Sequence, residues 1–113
     1  MHELSLATSL VSQVEALLKE HKAEKVASIS VSIGKLSGID KGALEFCFPL
    51  ACEGTALEGS KLLIEEIPVK VRCSDCEKSC EPEIPILMCR FCGSRNVKII
   101  EGREFFLESM EVK

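Results

Sequence analysis

The sequence contains no tryptophan and no tyrosine, and its only aromatic side chains are five phenylalanines. A core built from it must therefore be largely aliphatic, and the 46% of residues that are hydrophobic are enough for one small domain. No apolar run approaches the length that a bilayer span requires, so no membrane segment is expected. The formal net charge of -4, without an obvious cluster of basic residues, argues against a nucleic-acid partner.

The first twenty residues lack the features of a secretory signal peptide. They have no basic start, they carry Glu3 and Glu15, and their apolar residues are spaced rather than continuous. A cytoplasmic protein is therefore expected, in a compartment that keeps thiols reduced. Seven cysteines in a reduced chain of 113 residues point to metal binding before disulfide bonding.

Hydrophobic periodicity predicts two helices and three strands around a cysteine-rich segment. Apolar residues recur at helical spacing over residues 4–20, and the alternation in VASISVSIG predicts a strand with one buried face. Asp40 is placed to cap a second helix that runs to about Cys52. Further strands are expected over residues 61–67 and within residues 103–113. The predicted fold is α+β, with two helices on a small antiparallel or mixed sheet and an inserted zinc-ribbon-like module.

Two Cys-x-x-Cys knuckles, CSDC and CRFC, lie within the cysteine-rich segment. Each lets two sulfurs from one tight turn reach the same ion, and together they supply the four thiolates of a closed zinc site: Cys73, Cys76, Cys89 and Cys92. About thirty residues bury too little apolar surface to fold alone, so coordination worth roughly 10–16 kcal/mol is expected to stabilise them. Iron in a rubredoxin-like site is the alternative, which the lack of an aromatic core disfavours.

The domain boundaries and the remaining cysteines follow from this assignment. The α+β domain is expected over residues 1–68 and 103–113, and the metal module over residues 69–102. Cys47 and Cys52 are expected to pack as small apolar residues along the second helix. Cys80 is expected in the loop between the knuckles, with no role assigned.

The histidine directly behind the initiator methionine offers a second kind of metal site. The α-amine of Met1, the amide nitrogen of His2 and its imidazole can chelate one ion, and the amide of Glu3 would complete a plane of four nitrogens. Planar nitrogen sites favour Ni(II) or Cu(II) over zinc. Judged from the residues alone, such a histidine is more commonly an exposed side chain that binds no metal, and the same holds for His21.

Six stretches carry a resemblance that runs nearly end to end. In order they are MHELS, VSIGKLSGID, LEFCFPLACEGTALEGSKLLIEEIP, CSDC, CRFCGS and EGREFFLESMEV. Together they resemble the HypA/HybF family of hydrogenase-maturation nickel metallochaperones. The resemblance implies a carrier, not an enzyme, that binds Ni(II) as transient cargo through Met1, His2 and Glu3. It also implies structural Zn(II) on the four knuckle cysteines.

The resemblance implies partners as well. Family members work with a GTPase, HypB, and deliver nickel to the precursor of the [NiFe]-hydrogenase large subunit, and some also serve urease. Which enzyme receives the nickel, and whether the protein forms a homodimer, both stay open. The alternative reading is a zinc-ribbon module that binds a protein or a nucleic acid. Nearly balanced charges over residues 70–98, with Phe91 as the only aromatic side chain there, disfavour nucleic acid. A closed four-thiolate site likewise disfavours a metallohydrolase.

Overall fold

The computed structural model describes residues 3–83 and 85–113, which contain two helices and two separate three-stranded sheets. Within them the elements follow in the order α1 (Glu3–Glu20), β1 (Val26–Gly34), α2 (Lys41–Cys52), β2 (Lys61–Ile67), β3 (Lys70–Cys73), β4 (Ser79–Cys80), β5 (Val97–Glu101) and β6 (Phe105–Val112). One sheet has the order β2-β1-β6, and the other has the order β4-β3-β5. The predicted α+β class is confirmed. Neither helix of the described residues combines the length and apolarity that a membrane crossing needs.

The helix α1 spans the whole region that its periodicity predicts, residues 4–20, and begins one residue earlier, at Glu3. Its inward face is apolar and buried, and consists of Ala7, Leu10, Val11, Val14 and Leu18. The helix ends in a Schellman-type turn, because the N–H of Ala23 donates to the carbonyl of Leu18 at 2.9 Å. Lys22 takes the left-handed position of that turn, with φ of 55°. The chain then enters β1 directly.

The helix α2 begins as predicted, because Asp40 caps it. The Oδ1 atom of Asp40 accepts a hydrogen bond from the N–H of Ala43 at 3.0 Å, which satisfies one of the free donors of the first turn. Leu44, Phe48 and Cys52 follow one another at four-residue spacing and form its buried face. Gly54, with φ of 74°, lets the chain turn away after the last helical residue.

The strand β1 lies in the centre of the first sheet, parallel to β2 and antiparallel to β6. Its alternation is confirmed, because Ile29, Val31 and Ile33 are buried against the helices. Ser32, on the opposite face, is also buried at 1% exposure. Its hydroxyl donates to the carboxylate of Glu108 on β6 at 2.9 Å, so the burial leaves no polar group without a partner.

The second sheet carries the cysteine-rich segment, and its three strands were not predicted individually. Their lengths are four, two and five residues, which is too short for a periodic pattern to emerge. The chain passes from one sheet to the other between Ile67 and Lys70 and returns between Glu101 and Phe105. These crossings lie near the predicted boundaries at residues 68–69 and 102–103, but the division into functional domains stays a prediction.

Backbone packing between two glycines joins the two crossings to the end of β1. A Cβ atom on Gly34 would lie 2.2 Å from the carbonyl carbon and oxygen of Gly102. The N–H of Gly34 donates to the carbonyl of Glu104 at 2.7 Å, and that of Leu36 donates to the carbonyl of Gly102 at 2.6 Å. Gly102 itself has φ of 117°, a conformation that side chains disfavour. The junction therefore depends on glycine at both positions.

Candidate metal centres

The four knuckle cysteines converge at one end of the second sheet. Cys73 is the last residue of β3 and Cys76 lies in the turn that leads to β4, while Cys89 and Cys92 precede β5. The Sγ atoms of Cys73 and Cys92 are 3.5 Å apart, and those of Cys76 and Cys89 are 3.6 Å apart. All four sulfurs lie within 4.8 Å of one another. The structure thus brings together the four residues that the spacing predicts.

The two knuckles share one backbone geometry. In the first, the N–H of Glu77 donates to the carbonyl of Cys73 at 3.0 Å; in the second, the N–H of Gly93 donates to the carbonyl of Cys89 at 3.0 Å. Both closing residues have positive φ, 62° for Glu77 and 76° for Gly93. Gly93 takes this conformation at little cost because it has no side chain, whereas Glu77 adopts it without the freedom of a glycine.

Backbone donors and the two knuckles' mutual contacts hold the sulfurs in place. The N–H of Cys76 donates to the Sγ of Cys73 at 3.5 Å, and the N–H of Phe91 donates to the Sγ of Cys89 at 3.4 Å. Between the knuckles, the hydroxyl of Ser94 donates to the carboxylate of Asp75. Such N–H donors stabilise thiolate sulfur, which is the form that binds metals.

The four thiols differ in acidity because backbone N–H donors, desolvation and contacts with neighbouring thiols act on them unequally. The backbone N–H groups of Cys92 and Phe91 donate to Cys89 and lower its pKa to about 6. The N–H of Ser94 lowers the pKa of Cys92, but contacts with neighbouring thiols, Cys73 first, together with desolvation raise it to about 12. A divalent cation requires thiolates and would therefore displace the proton that Cys92 retains.

The cluster fits a tetrahedral ion of the size of zinc. With Zn–S bonds of roughly 2.3 Å, the sulfurs of a tetrahedron lie about 3.8 Å apart. The two sulfur–sulfur separations of 3.5 and 3.6 Å are close to this value. Four thiolates fill the coordination sphere and leave no position for water, which is typical of structural rather than catalytic sites. The donor set accepts zinc and iron alike.

The three other cysteines do not belong to the cluster. Cys52 is buried in the helical layer, where desolvation raises its pKa to about 11, and Cys47 is partly buried beside the same core. Both lie along α2, as predicted. Cys80 was expected in a loop, which is wrong: it pairs with Val71 in the β3–β4 ladder. Its sulfur accepts a hydrogen bond from the N–H of Arg90 at 3.4 Å, inside the second knuckle.

The predicted nickel site falls at the start of the chain, where Met1 and His2 lie outside the described residues. Glu3 opens α1, and its Oε2 atom accepts a hydrogen bond from the N–H of Asp40 at 3.2 Å. The beginnings of α1 and α2 therefore lie side by side. Sequence reasoning identified Asp40 as a helix cap but gave no signal that it lies next to Glu3, thirty-seven residues away.

A family model described as "Hydrogenase/urease nickel incorporation, metallochaperone, hypA" matches residues 1–112. The chain belongs to the HypA family. The hydrogenase maturation factor HypA of Nitrosospira multiformis is 42% identical, over 99% of this chain and 97% of the relative. That of Aquifex aeolicus is 40% identical, over 100% of this chain and 98% of the relative.

Solved structures of HypA proteins share the fold. The solution structure of the Ni metallochaperone HypA from Helicobacter pylori matches with a TM-score of 0.71 and 32% identity, over 99% of this chain and 97% of that one. A second HypA solution structure matches with a TM-score of 0.77 and 31% identity, over 100% of this chain and 97% of that one. The HypA relatives are named for maturation and metal carriage, not for a catalysed reaction, in agreement with the prediction of a protein that is not an enzyme.

Proposed function

We propose that the protein carries Ni(II) on Met1, His2 and Glu3 and holds Zn(II) structurally on its four clustered cysteines. The observation that carries the proposal is the match of the HypA family model from residue 1 to residue 112, which includes both predicted metal-binding stretches. The relative from Helicobacter pylori is named a Ni metallochaperone. The closed geometry of the four sulfurs supports a structural ion there, so the cargo needs a different site.

The surroundings of Glu3 support a cation at the start of the chain. The positive ends of two helix dipoles meet where α1 and α2 begin, and a cation there would cost roughly 0.3–1 kcal/mol for each. The carboxylates of Glu3 and Asp40 lie at this point and offset that cost. Amide nitrogens that lose their protons on binding are themselves anionic ligands, which reduces it further. The first N–H groups of α1 have no partner within the helix, so ligation breaks no helical hydrogen bond.

Delivery is the second part of the proposal. The carrier works in the cytoplasm with a HypB-type GTPase and passes nickel to the precursor of the [NiFe]-hydrogenase large subunit, with urease as the alternative client. Residues 1–68 and 103–113 form the nickel-binding domain, and residues 69–102 form the zinc module. A planar nitrogen site leaves its axial positions open, so an incoming ligand can displace the donors one at a time. A site at the N-terminus suits such a transfer.

The test compares two histidine variants of the untagged protein. His2→Ala removes the imidazole donor and is expected to abolish the d–d absorption band of planar Ni(II) during titration. His21→Ala is the matched control, because His21 lies exposed just beyond the end of α1 and should bind nickel like the wild type. An extension of one residue before Met1 should also abolish binding, since it moves the α-amine. The zinc content should stay at one ion per chain in all three.

Unchanged nickel affinity in His2→Ala, or equal loss in the two histidine variants, would refute the terminal site. The zinc assignment has its own test. Cys76→Ser should lower the zinc content measured by atomic emission while the nickel band of the remaining folded protein persists. Iron instead of zinc in protein isolated from cells grown with both metals would contradict this part alone.

A further inference from the structure

The sheet β2-β1-β6 has a second face that neither helix covers. The helices pack against Ile29, Val31 and Ile33, so the serines between them point to the other side. Two large apolar side chains on that side are half exposed, Leu63 at 52% and Phe106 at 48%. Apolar side chains that lie exposed together on one face of a sheet mark a candidate interaction surface.

The register of the sheet defines this surface, called here the serine face. Its middle row consists of Ser28, Ser30 and Ser32 on β1. Paired residues of neighbouring strands point to the same side, so the two outer rows follow from the pairing. They are Lys61, Leu63 and Glu65 on β2, and Glu111, Ser109 and Phe106 on β6. Glu108, at the bulge of β6, also reaches this side, because its carboxylate accepts the hydroxyl of Ser32.

The serine face holds a shallow, open groove, and its charge is mainly negative. A groove of about 460 Å³ runs between β2 and β6, with Leu63 and Glu65 on one wall and Glu108 and Ser109 on the other. Its rows carry three carboxylates, those of Glu65, Glu108 and Glu111, and one lysine, Lys61, while Lys113 follows just beyond the end of β6. The ion pairs among the described residues, Lys41–Glu66 and Arg90–Glu83, do not involve any of these carboxylates. The face therefore presents negative charge around an apolar centre.

Size and charge together indicate the occupant. Three strands spaced about 4.8 Å apart make a face about 10 Å wide, which is the diameter of one α-helix. A second copy of this chain would bring its own net charge of -4 against the carboxylates, and nucleic acid or an anionic membrane would be repelled in the same way. A helix with basic side chains beside an apolar stripe complements both features.

We propose that the serine face docks a basic amphipathic helix of a partner protein. The apolar stripe of that helix lies between Leu63 and Phe106, and its Lys or Arg side chains lie against Glu65, Glu108 and Glu111. Docking would cover the second side of the sheet and give it helices on both faces. It needs neither the terminal nickel site nor the cysteine cluster, so it holds or fails independently of the proposed cargo.

The test uses the zinc-loaded, ¹⁵N-labelled full chain and three synthetic peptides of about 15 residues, or four helical turns. The first is an amphipathic Leu/Lys helix, the second has Glu in place of every Lys, and the third has the Leu/Lys composition in an order without an apolar stripe. The first peptide is expected to shift the amide signals of β1, β2 and β6, and to lose affinity as salt is raised. The other two should bind at least about tenfold more weakly.

Matched variants locate the contact. Glu65→Lys combined with Glu111→Lys should weaken binding of the Leu/Lys helix at least about tenfold, whereas Glu20→Lys with Glu45→Lys makes the same charge change in the helical layer and should weaken it less than about threefold. Leu63→Ser tests the apolar centre. Its control is Phe46→Ser, which removes a side chain that is 75% exposed on α2.

Each other outcome overturns the proposal. Amide shifts confined to α1, α2 or the cysteine-rich sheet would place the peptide elsewhere. Equal effects of the two double charge variants would show that only the net charge of the protein matters. Equal binding of the ordered and rearranged Leu/Lys peptides would show that no helix is recognised. Spectra of each variant without peptide report whether the fold has been kept.

Discussion

The replacement Gly34→Ala tests the junction between the two sheets. Gly34 ends β1 and does not have positive φ, so alanine is not strained by its backbone conformation there. The cost must come from contact instead. The new methyl group would lie 2.2 Å from the carbonyl carbon and oxygen of Gly102 and 2.6 Å from the nitrogen of Arg103. All three atoms belong to the backbone, so no side-chain rotation can relieve the overlap.

The size of the effect follows from the distances. Non-bonded carbon atoms pack at about 3.5 Å or more, so the two backbone segments must separate by about 1.3 Å. The hydrogen bonds from the N–H of Gly34 to the carbonyl of Glu104 and from the N–H of Leu36 to the carbonyl of Gly102 are now 2.7 and 2.6 Å long. After the separation both would exceed hydrogen-bonding distance. Each lost bond costs about 1 kcal/mol, and more where the freed group stays buried. The expected loss in the free energy of unfolding is about 2–4 kcal/mol.

Urea denaturation of the zinc-loaded protein, followed by circular dichroism, measures this loss. Gly42→Ala is the matched control, because the nearest atom to its new methyl group is a side-chain oxygen of Asp40 at 3.4 Å. Gly42 lies in α2, so this change should raise the free energy of unfolding by about 0.5–1 kcal/mol. A value for Gly34→Ala within about 0.5 kcal/mol of the wild type would refute the close packing at the junction.

Two further predictions concern α2. Because burial raises the pKa of Cys52 from 9.0 to about 11, the folded state holds this proton more tightly than the unfolded state does. The resulting stability is present below pH 9 and falls between pH 9 and 11. In urea titrations, the free energy of unfolding of the wild type should therefore fall further between pH 8 and 10.5 than that of Cys52→Val, by at most about 2 kcal/mol. Equal losses would contradict the burial. Asp40→Ala should lower the free energy of unfolding by about 1 kcal/mol because it removes the cap on Ala43, whereas Asp40→Asn should stay near the wild type; thermal unfolding of the two compares them directly.

Local patterns explain why much of the fold could be predicted. The helices and the strands of the first sheet have at least seven residues each, long enough for an apolar stripe or an alternation to repeat. The cysteine cluster could be predicted equally well, because each knuckle contributes two sulfurs across one turn. The strands of the second sheet had no such signal. In β4, for example, two residues pair with β3 and take Cys80 out of the predicted loop.

The contacts that connect these parts could not be predicted, because each depends on residues far apart in the sequence. A glycine at the end of a strand indicates a turn or a close approach, but only the folded chain shows that Gly34 lies against Gly102. The same holds for Glu3, whose carboxylate accepts a hydrogen bond from the N–H of Asp40. The short connection between β1 and α2 reaches both places: the N–H of Leu36 donates to the carbonyl of Gly102 at the junction, and the N–H of Asp40 donates to the carboxylate of Glu3. The start of α1 and the junction between the sheets are therefore linked through residues 36–40, so a substitution at the junction is expected to disturb both.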